Sequence, residues 1–305
     1  MSDKSLHSSI IKHFCEKYNI TVEEKCIDDL AILTDELLEY NSHTNLTAVR
    51  DERDVVIKHH ADSLAFLSSK LPPYAKYVTV FQFPYKTDVS DRNVSYYAVP
   101  RDYHFYIKEL QKRLCDFLEK NGINEKAEIF ADNSPFLERK LACDLGLGFV
   151  GKNGLIINEK YGSYVFIAEI VTERKIDLSC GKKTERKECL GCGKCISACP
   201  SQCLGGKDLT ASCMSELTQK KKLLPDEAEL VKKHYLVWGC DVCQEVCPHN
   251  AKAEKTPIGF FNEKLVAHLT KDAVSLMDDT AFSERAFSWR GREVVLRNIE
   301  LSDIL

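Results

Sequence analysis

The chain has 305 residues, of which 44% are hydrophobic and 29% charged, with a net charge of −4. That balance excludes a disordered or fibrous chain. No apolar run approaches the ~20 residues of a membrane span, and MSDKSLHSSIIKHF lacks the apolar core of an export signal, so a cytoplasmic protein that stays off membranes is expected.

Residues 1–72 contain no Gly, and no Pro before Pro72-Pro73. Leu30, Leu33, Leu37 and Leu38 recur at helical spacing, so this stretch reads as a helical segment closed by the proline pair. YVTVFQF, from Tyr77, reads as a buried strand, and KTDVSDRN as a turn. A helix follows with Ile107, Leu110, Leu114, Phe117 and Leu118 on one face, ended by Asn121-Gly122. A strand over Ala127–Phe130 delivers Asp132 at its end. Ser134 then reads as a helix N-cap with Pro135 at the first helical position, and that helix runs to Gly146. GLGFVGKNG is a glycine-dense loop that lets backbone approach a ligand, and LIIN and SYVFIAEIV are two more strands. Together these predict a mixed sheet with flanking helices. Residues 180–250 read as loop-rich, and FFNEKLVAHL onward as a helical tail.

The chemistry lies in the cysteines. Cys189, Cys192, Cys195 and Cys199 precede Pro200 in the spacing Cys-x-x-Cys-x-x-Cys-x-x-x-Cys-Pro, and Cys240, Cys243 and Cys247 precede Pro248. In this pattern three close thiolates cap one [4Fe-4S] cubane and the cysteine before proline reaches the other. Cys189, Cys192, Cys195 and Cys247 are therefore expected on one cluster, and Cys199, Cys240, Cys243 and one further thiol on the second. Cys203 and Cys213 are candidates for that place. Cys213 is preferred because Cys203 sits only four residues after Cys199, and Cys180 is a spare. Tetrahedral zinc would want Cys-x-x-Cys pairs instead of a triple plus Cys-Pro. A disulfide scaffold suits a short exported chain, not one that buries its own core. Cys15, Cys26, Cys115 and Cys143 read as small buried apolar side chains. Between Arg174 and Lys233, Lys and Arg outnumber Asp and Glu by 13 to 8, including Lys220, Lys221 and Lys222. This excess is either a solvated face or a landing surface for phosphates.

The words RDYH (Arg101–His104), ADNSPFLER (Ala131–Arg139), GLGFVGKN (Gly146–Asn153), YGSYVFIAEI (Tyr161–Ile170), CLGCGKCISACP, CMSELT (Cys213–Thr218) and WGCDVCQEVCPHN (Trp238–Asn250) resemble the epoxyqueuosine reductase family over about residues 77–298. The resemblance implies an iron–sulfur oxidoreductase of tRNA queuosine biosynthesis, with two [4Fe-4S] clusters and cobalamin as cofactors. It implies Cys213 as the eighth ligand, Asp132 as proton donor, and Asn153, Ile156, Ile167, Ser215 and Asp241 as residues lining the corrinoid. It implies as partners a tRNA anticodon loop and a reductant such as a flavodoxin or ferredoxin, with the protein a monomer. Pro100 departs from the glycine of the family's Tyr-Ala-x-Gly-x-Asp-Tyr-His word. Glu39–Phe66 instead resembles the N-terminal helices of GidB-type rRNA methyltransferases, without the glycine-rich cofactor loop, since no Gly precedes Gly122.

The expectation is an α+β protein in four parts. These are a helical N-terminal segment (1–72), a mixed-sheet cobalamin-binding reductase domain (73–178), a bis-[4Fe-4S] ferredoxin-like module (179–255) and a helical tail (256–305). The rival expectation is a non-catalytic two-cluster electron carrier on a degraded reductase scaffold.

Overall fold

The computed structural model describes residues 4–17, 23–44, 71–132, 134–176, 187–204 and 212–302. The chain divides into two compact units, Met1–Ala75 and Lys76–Leu305. In the first, α1 (Lys4–Lys17) and α2 (Glu24–Thr44) meet through Ile11, Cys15 and Ile27, with Leu30 beside them. Ala31 and Thr34 continue the buried stripe of α2, whereas Leu33 is 48% exposed, so the buried face lies to one side of the predicted leucine row. The side chains of Leu37 and Leu38 lie outside the described residues, as do 45–70 and with them most of the methyltransferase-like block.

The second unit is built on a three-stranded sheet in the order β1-β5-β2, formed by β1 (Tyr77–Pro84), β2 (Ala127–Phe130) and β5 (Val165–Thr172). Both ladders are antiparallel, pairing Tyr77 with Thr172, Pro84 with Val165 and Phe130 with Glu169. The expected mixed sheet is therefore antiparallel in both ladders. Residues alternate across it as the pleat requires. One face stacks Phe83, Phe166 and Ala168 against Tyr103 and Tyr106 of α3 (Tyr103–Lys120) and against Phe260 and Phe261. The other packs Val80, Val165 and Ile167 against Leu141 and Ala142 of α4 (Glu138–Asp144) and against Ile156. Ile156 belongs to a small hairpin of β3 (Phe149–Val150) and β4 (Ile156–Ile157), which occupies the predicted glycine-dense loop and the strand after it.

The helix over 103–120 ends at Asn121 and Gly122 as its pattern predicts, although Phe117 is 58% exposed. Ser134 does not cap α4. The helix starts at Glu138 with Leu137 at the N-cap position, and Ser134 Oγ accepts a hydrogen bond from the Phe136 N–H in a local turn. A serine hydroxyl can close a turn as readily as it caps a helix.

Beyond the sheet, short helices carry the cysteine region: α5 (Lys194–Ala198), α6 (Met214–Leu217), α7 (Pro225–Lys233) and α8 (Val242–Glu245). FFNEKLVAHL is not a helix. A 3₁₀ turn at Gly259–Asn262 gives way to extended chain before α9 (Lys271–Leu276), α10 (Asp279–Ser283) and α11 (Arg292–Leu301). These last elements form no peripheral tail. Val274, Phe282, Phe287, Val295 and Ile299 close around Trp238, Val94 and Val99 in the largest buried cluster among the described residues. Asn298 donates to the Thr218 and Val237 carbonyls at 2.7 and 2.8 Å, which ties α11 to the segment leading into the second cysteine block.

Asp241 stands at the junction of sheet and cysteine region and is fully buried. It accepts hydrogen bonds from Ser95 Oγ at 2.5 Å, the Tyr96 N–H at 2.8 Å and Gln244 Nε2 at 3.0 Å, and it pairs with Arg92 at 3.0 Å. Arg92 also reaches Glu245 and lies 3.7 Å over the Tyr96 ring. Removing one partner of a buried ion pair strands the other charge. Arg92→Met is expected to cost about 3–5 kcal/mol of stability, measured as a lowered urea midpoint of the anaerobically purified protein.

Candidate functional site

The first cysteine block and the end of the second face one cavity. Cys189, Cys192, Cys195 and Cys247 all line it, together with Asn153 and His249, and it is partly open to solvent. Gly193 adopts φ 72°, a left-handed turn that starts α5 and brings Cys195 back toward Cys189 and Cys192. Cys247 ends the turn after α8, and the following Pro248 opens a 3₁₀ turn. The N–H groups of Gly191 and Lys152 lower the Cys189 pKa, as a thiolate ligand requires, whereas burial raises Cys195. Four thiols around one cavity fit a cubane. Among the described residues no three Cys, His, Asp or Glu side chains close around a single metal ion.

The second group gathers behind it. Cys240 and Cys243 flank the buried Asp241, and burial pushes both thiols up to about 12. Gly239, just before them, has φ 76°, and a Cβ there would meet Ser95 Cβ at 2.5 Å, so only glycine lets the strand-linking segment pass this close. Cys213, at the start of α6, lies near enough for its charge to raise Cys240, Cys243 and Cys203. Cys199 is buried, and its Sγ is 3.6 Å from that of Cys203. Cys203, held up to about 11 chiefly by burial, thus stands between Cys199 and Cys213. Five thiols gather where a cubane takes four. Cys195 also raises Cys243, so the two groups lie within electrostatic reach of each other. Cys180 falls outside the described residues. Of the cysteines expected to be buried and apolar, Cys15 is buried and Cys143 half-buried. Cys26 and Cys115 are exposed, Cys115 because it lies on the solvent side of α3.

Asp132 follows β2 with φ 63°, an unusual conformation for a non-glycine residue, and its side chain is exposed. Its N–H donates to Glu138 Oε1 at 2.9 Å. Its carboxylate bonds the Tyr103 hydroxyl, whose proton affinity is raised by burial and by that carboxylate. Tyr103 stacks on Phe166 at 4.2 Å, and Asp102 both caps α3 and binds His104 Nδ1 at 2.7 Å. The His104 pKa is raised by its hydrogen bond to Asp102.

The residues expected to line a corrinoid are divided. Asn153 faces the four-thiol cavity, and among the described residues its buried Nδ2 lacks a partner of normal geometry although it lies beside the Cys243 thiol. Ile167 and Ser215 are half-buried, and Ser215 Oγ accepts from Gln219 at 3.3 Å. Ile156 is buried in the core beneath the hairpin, and Asp241 is enclosed in its polar network.

Reading motifs from the sequence assigned no role to Tyr103, His104, Glu138 or Glu169. Glu169 carried a signal, a lone carboxylate in the apolar run VFIAEIV. It is fully buried on the α4 face of the sheet, and among the described residues neither carboxylate oxygen has a hydrogen-bond partner of normal geometry. Burial and the charge of Glu138 raise its pKa to about 7.

Two thiol groups in the spacing of paired [4Fe-4S] cubanes, on a small α/β unit, define an iron–sulfur protein, and comparison with known proteins agrees. Residues 188–250 match the 4Fe-4S double cluster binding domain, and residues 68–133 match the model "Epoxyqueuosine reductase QueG, DUF1730". The epoxyqueuosine reductase of Leadbetterella byssophila is 35% identical over 182 residues, covering 58% of this chain and 59% of that one. That of Lactococcus garvieae is 31% identical over 233 residues, covering 71% and 62%. The chain thus spans about six-tenths of the length of these relatives. Among solved structures, the Streptococcus thermophilus epoxyqueuosine reductase is 27% identical with a TM-score of 0.57, covering 75% of this chain and 64% of that one. An epoxyqueuosine reductase in complex with an epoxyqueuosine-modified tRNA-Tyr stem loop is 25% identical with a TM-score of 0.63, covering 88% and 73%. Residues 68–133 thus match the epoxyqueuosine reductase family model, and the wider similarity of the chain is to enzymes of that name. Neither family model reaches the methyltransferase-like block, so that likeness has no support. Among the described residues, no helix is long and apolar enough to cross a membrane.

Two outcomes follow for the isolated protein. Cys213→Ser is expected to lower iron and acid-labile sulfide from about eight to about four per chain, while Cys203→Ser leaves both unchanged, measured by iron and sulfide analysis after anaerobic reconstitution. Because the Glu169 pKa is raised in the fold, the stability it contributes is full below the usual carboxylate range and is lost as pH rises through about 7. The urea midpoint of the wild type should therefore fall relative to that of Glu169→Gln between about pH 5 and about pH 8.

Proposed function

We propose that this protein is a reductase of epoxyqueuosine in a tRNA anticodon loop. What carries the reading is that a single compact unit holds both a double-cluster thiol set and, at the end of its sheet, an acid on a strained turn beside Tyr103 and His104. One structural relative is in complex with an epoxyqueuosine-modified stem loop, which supports the substrate class.

In this reading Cys189, Cys192, Cys195 and Cys247 hold one [4Fe-4S] cluster, and Cys199, Cys213, Cys240 and Cys243 hold the other. Asn153, Ile167 and Ser215 keep accessible or unpartnered surface suited to a cobalamin. Ile156 supports that surface from beneath, and Asp241 fixes its floor through the cysteines on either side. Together these parts would make the sheet and hairpin the cobalamin-binding reductase domain. When bound, the clusters supply single electrons and the cobalamin supplies the reductant at the epoxide carbon.

The protein's own groups supply the rest. Asp132 delivers a proton to the departing oxygen, which is a far poorer leaving group as an alkoxide. Tyr103 aims that carboxyl through its hydroxyl, and Asp102 holds His104 beside it. The exposed Lys221, Lys222, Lys232 and Lys233 contact phosphates of the anticodon stem, whereas Lys220 is engaged by Glu227 at 2.6 Å. A low-potential flavodoxin or ferredoxin charges the clusters, and the protein works as a cytoplasmic monomer.

The test is to incubate the reconstituted protein with cobalamin, a chemical reductant and an epoxyqueuosine-bearing stem loop, then weigh the nucleosides. Loss of one oxygen atom from the hypermodified base is the expected result, and an unchanged nucleoside would refute the reading. Asp132→Asn should slow the loss by about 100-fold or more without changing iron content.

A further inference from the structure

Converting an epoxide to an alkene breaks both C–O bonds, forms one C=C π bond and releases the oxygen as water. The balance requires two electrons and two protons. The electrons come from the low-potential one-electron carrier that charges the clusters. The first proton goes to the oxygen as the ring opens, and the second as the hydroxyl departs as water. Asp132 carries one proton at a time, so the site must hold another or draw it from solvent between the two steps.

Two further acids are coupled to Asp132. Glu138 Oε1 receives the Asp132 N–H, and the Asp132 charge adds to burial in raising the Glu138 pKa. The charge of Glu138 in turn adds to burial at Glu169, and the Ser134 hydroxyl lies within reach of Glu169. The three carboxyls are therefore electrostatically linked in succession, from Asp132 on the exposed turn through Glu138 to Glu169 in the middle of β5. Glu169 sits on the same sheet face as Ile167, opposite Val80 of β1 and Phe130 of β2. Apolar strands enclose it on both sides. A structural glutamate would be expected to bind an arginine, a lysine or backbone N–H groups, because an unpaired buried carboxylate is costly. Among the described residues Glu169 has no such partner, and Arg139 acts on Glu138 instead while its Nη1 binds the Gly154 carbonyl. A buried acid without a counter-ion keeps its proton.

We propose that Glu169 stores the second proton of the deoxygenation and passes it by way of Ser134 and Glu138 to Asp132, reloading the acid between the two C–O cleavages. This rests on the reductase reading above. Glu169 acts through Asp132 and touches no reacting atom, so it is a positioning and relay residue. Its pKa near 7 suits a group that must both hold and release a proton close to neutrality. The groups bearing on its titration are Glu138 and Ser134 directly, and Asp132, Tyr103 and Arg139 through Glu138.

The discriminating substitution is Glu169→Gln, which keeps size and shape, cannot carry the proton and removes no favourable ion pair. Infrared difference spectra of the purified protein, with circular dichroism to confirm folding, should show a protonated-carboxyl band that titrates near neutrality and vanishes in Glu169→Gln. The titration of Asp132, identified by its loss in Asp132→Asn, should shift in Glu169→Gln. With the loaded enzyme, Glu169→Gln should lower kcat by about tenfold or more at unchanged KM and flatten the neutral limb of the pH profile, with Glu169→Asp recovering part of the rate. Absence of the band, an unshifted Asp132 titration, or wild-type kcat and pH profile in Glu169→Gln would each overturn the proposal. If the wild type leaves the modified base intact, the reductase reading fails, while the infrared coupling still decides whether Glu169 is a proton store linked to Asp132.

Discussion

The buried carboxylate of Asp241 is the constraint on which this arrangement depends. Stripping a carboxylate of water costs several kcal/mol, and here Arg92, the Tyr96 N–H, Ser95 and Gln244 replace the lost solvation. Because Asp241 lies between Cys240 and Cys243 in the chain, those same bonds fix two thiols against the segment that follows β1. The network extends through Gln244, which accepts from Tyr85 and Ser163, and through Asn250, whose Oδ1 accepts the Ser163 N–H. Cys247 lies between these two anchors. The cysteines of the second block are therefore set by the sheet unit and are not free to find their own positions.

Burial has two opposite uses in this unit. At Asp241 the ion pair with Arg92 and three hydrogen bonds offset part of it, although burial still raises the Asp241 pKa, and the bonded carboxyl serves as a rivet. At Glu169 it is uncompensated, and the same side-chain chemistry becomes a proton-holding group near neutrality. The thiols follow the same physics. Cys189 receives N–H groups and is eased toward the thiolate, whereas Cys240 and Cys243 sit in dry surroundings that favour the thiol, so loading iron there must release protons.

Spacing made the cysteine pattern readable in the sequence, because a cubane's ligand geometry is short-range and written directly in residue intervals. The helix over 103–120 was readable for a similar reason, since its stripe and its Asn-Gly end are local. What escaped depended on distant partners. Ser134 closes a turn instead of a helix because Glu138 begins the helix and reaches back to the Asp132 N–H. The segment after residue 256 becomes core because Trp238, far away in the sequence, needs covering by Phe287 and Val295. Glu169 was visible as an anomaly in an apolar strand, but its lack of a hydrogen-bond partner among the described residues is a property of the packed sheet.

The central claim is that the cysteines converge as two cubane-binding sets. Mössbauer spectroscopy of ⁵⁷Fe-reconstituted protein tests it most directly. Nearly all the iron is expected in quadrupole doublets of [4Fe-4S]²⁺ clusters, with an iron content equal to two clusters per chain. A spectrum dominated by mononuclear ferrous or ferric iron, or a protein that retains zinc and takes up no iron or sulfide, would contradict the account.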